Sequence, residues 1–168
     1  LTVDADDVAE TYDGNAYGVT ATANLEGATI KYWNTATEEY DLDESPSIAD
    51  VADSVLTVKF QATLYGYEPA EGSATVTINP RPVTITVADA RKTVGTEDPA
   101  FTGTVEGLVS ESDLGEITYS RTNDDEVVGN YEGVLTAKYT ENSNYTVTVM
   151  PGDFTITQNE GTGYTVQY

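Results

Sequence analysis

The sequence predicts a mostly β protein built as two small tandem domains. Three observations carry that prediction. Strand-forming residues dominate the 168-residue chain, with 27 Thr, 18 Val, 12 Tyr and 6 Ile. Apolar residues recur at every second position in short runs, which is the period of a strand with one face in a core. Turn residues separate these runs at close intervals, and two prolines within three residues part the chain near its middle.

The runs follow in order. Val19, Ala21 and Ala23 share one parity, with Thr between them. Leu56, Val58, Phe60, Ala62 and Leu64 alternate with Thr57, Lys59, Gln61 and Thr63. Ala74, Val76 and Ile78 repeat the pattern, as do Val83, Ile85 and Val87. Ile117 and Tyr119, then Tyr145, Val147 and Val149, then Phe154 and Ile156 complete the set. Each run predicts a half-buried strand with one Thr-rich, wet face. Turns are expected at Tyr12-Asp13-Gly14-Asn15, Leu25-Glu26-Gly27, Glu71-Gly72, Asn123-Asp124, Gly129-Asn130 and Met150-Pro151-Gly152-Asp153. Two segments carry a weak helical signal, residues 47–54 after Pro46 and residues 108–114.

Asn79-Pro80-Arg81-Pro82 marks the boundary, because proline cannot donate to a ladder and stiffens the chain. It divides the chain into residues 1–80 and 81–158, each just large enough to bury its own core. Residues 159–168 form a tail in which Tyr164, Val166 and Tyr168 alternate with Thr165 and Gln167. The tail would add an edge strand or open a further module. The halves share a layout rather than a sequence, including a Thr11-Tyr12 step in one and a Thr93-Val94 step in the other.

Composition removes several kinds of chemistry. The chain has no Cys, hence no disulfide, thiolate zinc site or Cys nucleophile. It has no His, hence no Ser-His-Asp triad and no imidazole ligand or base. Twenty-nine acidic residues against seven basic ones give a net charge of −22. That balance argues against nucleic acid, whose phosphates need Lys and Arg, and against anionic membranes. No run approaches the ~20 apolar residues of a membrane span. No signal peptide or sorting motif is legible, and the chain reads as a piece of a larger protein.

Residues 83–157 resemble the MBG-type repeat of bacterial cell-surface proteins. The resemblance lies in Val87-Ala88-Asp89-Ala90-Arg91-Lys92-Thr93-Val94-Gly95 and Asp98-Pro99-Ala100-Phe101. It continues through Val105-Glu106-Gly107-Leu108-Val109, Val128-Gly129-Asn130-Tyr131, Asn144-Tyr145-Thr146-Val147 and Gly152-Asp153-Phe154-Thr155-Ile156-Thr157. Val94 stands where the family usually has Tyr. The resemblance implies a ubiquitin-like β-grasp domain, with residues 108–114 as its one short helix.

Residues 1–79 resemble, more loosely, the Ig-like repeats that precede such domains, through Thr11-Tyr12-Asp13-Gly14, Pro46-Ser47-Ile48, Thr57-Val58-Lys59-Phe60 and Gly72-Ser73-Ala74-Thr75 among others. The fold expected there is an Ig-like β-sandwich. Both families imply tandem extracellular modules, attached to a bacterial cell surface or cell wall in adhesin-like proteins. Neither brings catalytic residues.

Two sets of residues are candidate sites. Glu39, Asp41, Asp43 and Glu44 offer the hard oxygen ligands that suit a weak Ca²⁺ site, but without EF-hand spacing. The competing reading of the acidic clusters is a solvated surface that repels self-association. Trp33, Tyr32, Tyr65 and Tyr67 are candidate contacts for a glycan or protein, since exposed rings stack on sugars and anchor interfaces. The competing reading places these rings in cores and strands. Lys31, Lys59, Lys92 and Lys138 read as solvated lysines on sheet faces.

The function expected is therefore a non-catalytic, monomeric spacer without a cofactor. It would hold an adhesive or catalytic head away from the cell, and host glycans or matrix proteins would be partners through the parent protein. The alternative is that the piece itself binds a host glycan, mucin or matrix protein.

Overall fold

The computed structural model describes residues 1–159; the predicted tail from residue 160 onward lies outside them. The described chain is mostly β, with a single 3₁₀ turn at Val51–Asp53 and no α-helix. It divides into two compact units that part between Arg81 and Pro82.

The first unit holds β1 (Val3–Asp4), β2 (Val8–Thr11), β3 (Thr22–Ala23), β4 (Thr29–Asn34), β5 (Glu39–Leu42), β6 (Leu56–Thr63) and β7 (Ala70–Asn79). Five strands form one sheet in the order β2-β7-β6-β4-β5, and β1 pairs with β3 in a small second sheet. The alternation of β6 works as the sequence predicts: Val58, Phe60 and Ala62 are buried, while Thr57, Lys59 and Thr63 face solvent. These side chains meet Val76 and Ile78 of β7, Tyr32 of β4, and Val3, Val19 and Ala21 from the other layer. Each fully buried Val, Ile or Phe contributes about 1.5–3 kcal/mol, so this single cluster fixes the register of every strand that feeds it.

The second unit holds β8 (Arg81–Val87), β9 (Ala90–Thr93), β10 (Gly103–Glu106), β11 (Thr118–Arg121), β12 (Gly129–Lys138), β13 (Tyr145–Met150) and β14 (Gly152–Thr157). Its strands lie in two sheets, ordered β10-β8-β13 and β11-β12-β14-β9. Two chain segments run through both sheets. β8 leads into β9 across Ala88-Asp89, β13 leads into β14 across Pro151, and the two segments are neighbours in each sheet. A strand that passes from one sheet to another has to bend sharply, and Gly152 makes that possible. A Cβ there would lie 2.8 Å from both the Val87 and the Ala88 carbonyl oxygens.

Both units close in the same way. β2 lies parallel to β7, and β9 lies parallel to β14. Just before each short strand an aspartate accepts a backbone N–H from the closing strand: Asp7 from Thr75 and Asp89 from Asp153, both at 2.8 Å. Just after it, the Tyr12 N–H donates to the Asn79 carbonyl and the Val94 N–H to the Thr157 carbonyl, again at 2.8 Å. The Thr11-Tyr12 and Thr93-Val94 steps thus occupy one structural position.

Five expectations are corrected. The short helix over residues 108–114 is absent. Asp113 donates its N–H to the Ser110 carbonyl and Gly115 to that of Ser112, and the Ser110 N–H donates to the Asp113 carboxylate. Such local bonds offer the backbone turns in place of a helix, while Leu114 stays fully buried. Residues 47–54 form only the 3₁₀ turn. Gly129-Asn130 is no turn but the start of β12, where Gly129 pairs with Ile156 and Asn130 with Thr155. Glu71-Gly72 is no turn but part of β7; the chain reverses at residues 64–67, where the Tyr67 N–H donates to the Leu64 carbonyl. Met150-Pro151-Gly152-Asp153 is the bend between sheets rather than a turn, since Met150 ends β13, Gly152 begins β14 and the two strands do not pair with each other.

Candidate functional site

The outward face of the five-stranded sheet in the first unit gathers the most chemistry. Lys31 and Trp33 project from β4 on the side opposite Tyr32, and β6 contributes Lys59 and Gln61. A bulge between β4 and β5 sets Tyr40 opposite Trp33 while Leu42 opposes Tyr32, so Tyr40 is turned outward. The Trp33 and Tyr40 rings meet edge to face with centroids 5.0 Å apart. The Lys59 ammonium lies over the indole, 4.2 Å from its centroid. Gln61 reaches across to β7, its Nε2 donating to Glu71 Oε1 at 3.3 Å. Burial, with the Glu71 carboxylate beside it, holds the Tyr40 phenol above its usual pKa.

The four aromatic residues singled out in the sequence do not form one platform. Tyr32 is a core residue, 6% exposed, with its hydroxyl accepting the Ala21 N–H at 2.9 Å and its ring edge-on to Phe60. It cannot touch a ligand, because its strand turns it toward the cluster that holds the unit together. Trp33 is half-buried on the outer face. Tyr65 and Tyr67 are exposed at the tip joining β6 to β7, beside a shallow depression of about 490 Å³. That tip follows Thr63, which pairs with Thr29 at the far end of β4, so it lies about four strand residues, ~13 Å, along the sheet from Trp33.

The four candidate calcium ligands also fail to converge. Asp43 is drawn into an ion pair with Lys31. Asp41 accepts a hydrogen bond from the Thr37 hydroxyl at 2.7 Å. Glu39 pairs with Asn34 along the edge strand, and Glu44 lies beyond the strand's end. Among the described residues no three acidic side chains gather as a cation site.

The second unit holds a cluster that the alternation did not reveal. Lys92, expected on a wet sheet face, is 7% exposed. It pairs in register with buried Ile156, so its stem lies along the core and its ammonium emerges among carboxylates. Lys92 Nζ donates to Asp98 Oδ1 at 2.8 Å and to both Glu126 oxygens at 3.0 Å. Arg121 completes the ring, with Nε to Asp98 Oδ2 at 2.9 Å, Nη2 to Glu126 Oε2 at 2.7 Å and Nη1 to the Asp125 carbonyl at 2.6 Å. The hydrogen bond to Asp98 raises the Lys92 pKa despite burial. The same bond, reinforced by Arg121, lowers that of Asp98, and Lys92 with Arg121 lowers that of Glu126. An amine held cationic and carboxylates held anionic make a structural tie. The tie pins the β11–β12 loop, residues 122–128, onto β9.

With this geometry in place, comparison with known proteins adds one positive result. Residues 83–155 match the family described as the MBG domain (YGX type). That segment runs from the third residue of β8 to the fourth of β14, and so takes in both bends of the second unit. Val94-Gly95-Thr96 follows β9 there, with Val94 packed on the core. None of the curated proteins matches the chain. Among solved structures, human protocadherin-24 EC1-2 is similar at 8% identity over 91% of this chain and 95% of that one, with a TM-score of 0.31. Extracellular domains 3–5 of Drosophila OTK are similar at 8% identity over 91% of this chain and 62% of that one, with a TM-score of 0.26. Both scores lie below those of proteins that share a fold. No described helix is long and apolar enough to cross a membrane.

Proposed function

We propose that this chain is a non-catalytic extracellular spacer, a pair of tandem modules that carries tension between other parts of a bacterial surface protein of the adhesin type. The observation that carries the reading is the parallel closure of both units. In each, a strand near the start lies parallel to the strand near the end. Tension that reaches the pair, past β1 in the first unit and β8 in the second, pulls its two strands in opposite directions along their length. The ladder bonds and the aspartate contacts at their start share the strain together, instead of opening one by one. The match of residues 83–155 to the MBG domain supports the extracellular assignment. A net charge of −22 and Thr-rich outer faces support a surface that stays soluble in tandem arrays. On this reading the first unit is an Ig-like sandwich and the second a β-grasp variant whose crossover helix is replaced by turns. Attachment to the cell wall and the monomeric state belong to the same proposal.

Single-molecule pulling on the full chain between end handles tests it. Two abrupt unfolding events, each at a force well above that of a sheet opened strand by strand, are expected. Gradual extension without resolved events would remove the mechanical reading.

A further inference from the structure

Trp33 is the sole tryptophan of the chain, and its surroundings depart from the rest of the surface. The unit Leu1–Arg81 holds fifteen acidic residues and three basic ones, Lys31, Lys59 and Arg81. Two of those three lie on one sheet face on either side of Trp33, Lys31 two residues before it on β4 and Lys59 on the neighbouring strand. Lys31 is neutralised by Asp43. Lys59 is not: among the described residues no carboxylate lies within ion-pair distance of its ammonium, which rests on the indole face instead. In so acidic a protein a cation left on a ring rather than on an acid is a vacant anion partner. Beside it, Tyr40 extends the aromatic surface, and Gln61 and Glu71 supply amide and carboxylate groups that bond hydroxyls.

We propose that this face, centred on Trp33 and Lys59, binds a saccharide bearing a carboxylate. The cation–π contact alone holds Lys59 over the ring, so the side chain is free to swing outward and meet the sugar carboxylate. The indole face that it vacates then takes the apolar face of the pyranose, with the edge of Tyr40 beside it. A neutral sugar would have to displace Lys59 without pairing it, which makes the carboxylate the selective feature. The inference goes beyond the spacer reading and does not depend on it: pulling tests the one, a titration the other.

The test is Trp33 fluorescence of the full chain, titrated with glucuronate, with glucose as the same ring lacking the charge, and with acetate as the charge lacking the ring, at constant ionic strength. The expected result is a saturable change with glucuronate in the millimolar range, at least about fivefold weaker with glucose and absent with acetate. Lys59→Gln should bring glucuronate down to the level of glucose, and Tyr65→Phe should leave the titration unchanged. Circular dichroism of both variants confirms that they are folded. No saturable change with glucuronate, equal responses to the two sugars, or a response to acetate alone would each overturn the proposal.

Discussion

Gly152→Ala puts the architecture of the second unit to the test. The added methyl would sit 2.8 Å from two carbonyl oxygens, those of Val87 and Ala88, and 3.1 Å from the Ala88 carbonyl carbon. Ordinary contact begins near 3.4 Å, so the backbone at the β8–β9 bend must move by roughly 0.6 Å. Neither obstacle is a side chain that can rotate away. Both belong to the segment that must stay beside β13 and β14 in two sheets at once. Overpacking costs about 1–3 kcal/mol, and a clash with backbone on two sides belongs at the upper end, ~2–3 kcal/mol. For a unit of this size that corresponds to a melting temperature lower by about 10–20 °C. Urea unfolding followed by far-UV circular dichroism measures the loss, and amide exchange locates it in β8, β9 and β14. Gly95→Ala is the control: its φ of +86° is strained for alanine, but no atom lies within 4 Å of the new methyl. It should cost only about 1 kcal/mol. If Gly152→Ala stays within about 0.5 kcal/mol of the parent protein, the segments do not pass as closely as described and the bend has another origin.

Three further outcomes are expected. The ionic ring of the second unit makes stability depend on pH: the folded pKa values of Asp98 and Glu126 are depressed, so their contribution is complete above the ordinary carboxylate range and is lost as pH falls from that range through the lower folded values. Lys92, whose folded pKa is raised, contributes below its ordinary value and loses that contribution only on strong alkalinisation; melting scans should show a plateau between, and Asp98→Asn should flatten the acid limb. Tyr32→Phe removes the acceptor of the buried Ala21 N–H and should cost about 1–2 kcal/mol in chemical unfolding, where an unchanged midpoint would mean that water already serves that N–H. Asp89→Ala removes the acceptor of the Asp153 N–H and should cost about 1.5–2 kcal/mol, together with a lower unfolding force in the second event; a force left unchanged would separate this contact from the mechanical role.

Legibility in the sequence followed solvent exposure. β6, β7, β8 and β14 could be read because each has one dry and one wet face, so burial imprints period 2 on the residues. β5, β9 and β10 span four residues each and carry charges, too few and too polar to impose a pattern. Gly72 looked like a turn residue, yet it is there for clearance, since a Cβ would come within 2.6 Å of the Phe60 ring. Trp33 could be found by residue type. Its partners Tyr40 and Lys59 could not, because cross-strand neighbours depend on pairing, and alternation gives parity without giving the partner. Lys92 was misplaced for the opposite reason: a long aliphatic stem can lie along a core and still deliver its charge to the rim.

The closing device of the two units shows what that limitation conceals. Asp7 and Asp89 are two of many acids in a sequence rich in them, and nothing in their neighbourhood marks them out. A short strand added in parallel beside a longer one needs a partner for the N–H that the longer strand presents just before the pairing begins. The aspartate side chain reaches back to supply it, and the N–H after the fourth strand residue closes the other end. The two units share little sequence, yet each solves the same backbone problem at the same register, with Val8 opposite Val76 and Ala90 opposite Phe154. A carboxylate here is therefore part of the fold, while most of the others serve the solvated surface. Substitution of carboxylates that only face solvent should leave stability unchanged, and substitution of either of these two should lower it, as Asp89→Ala does.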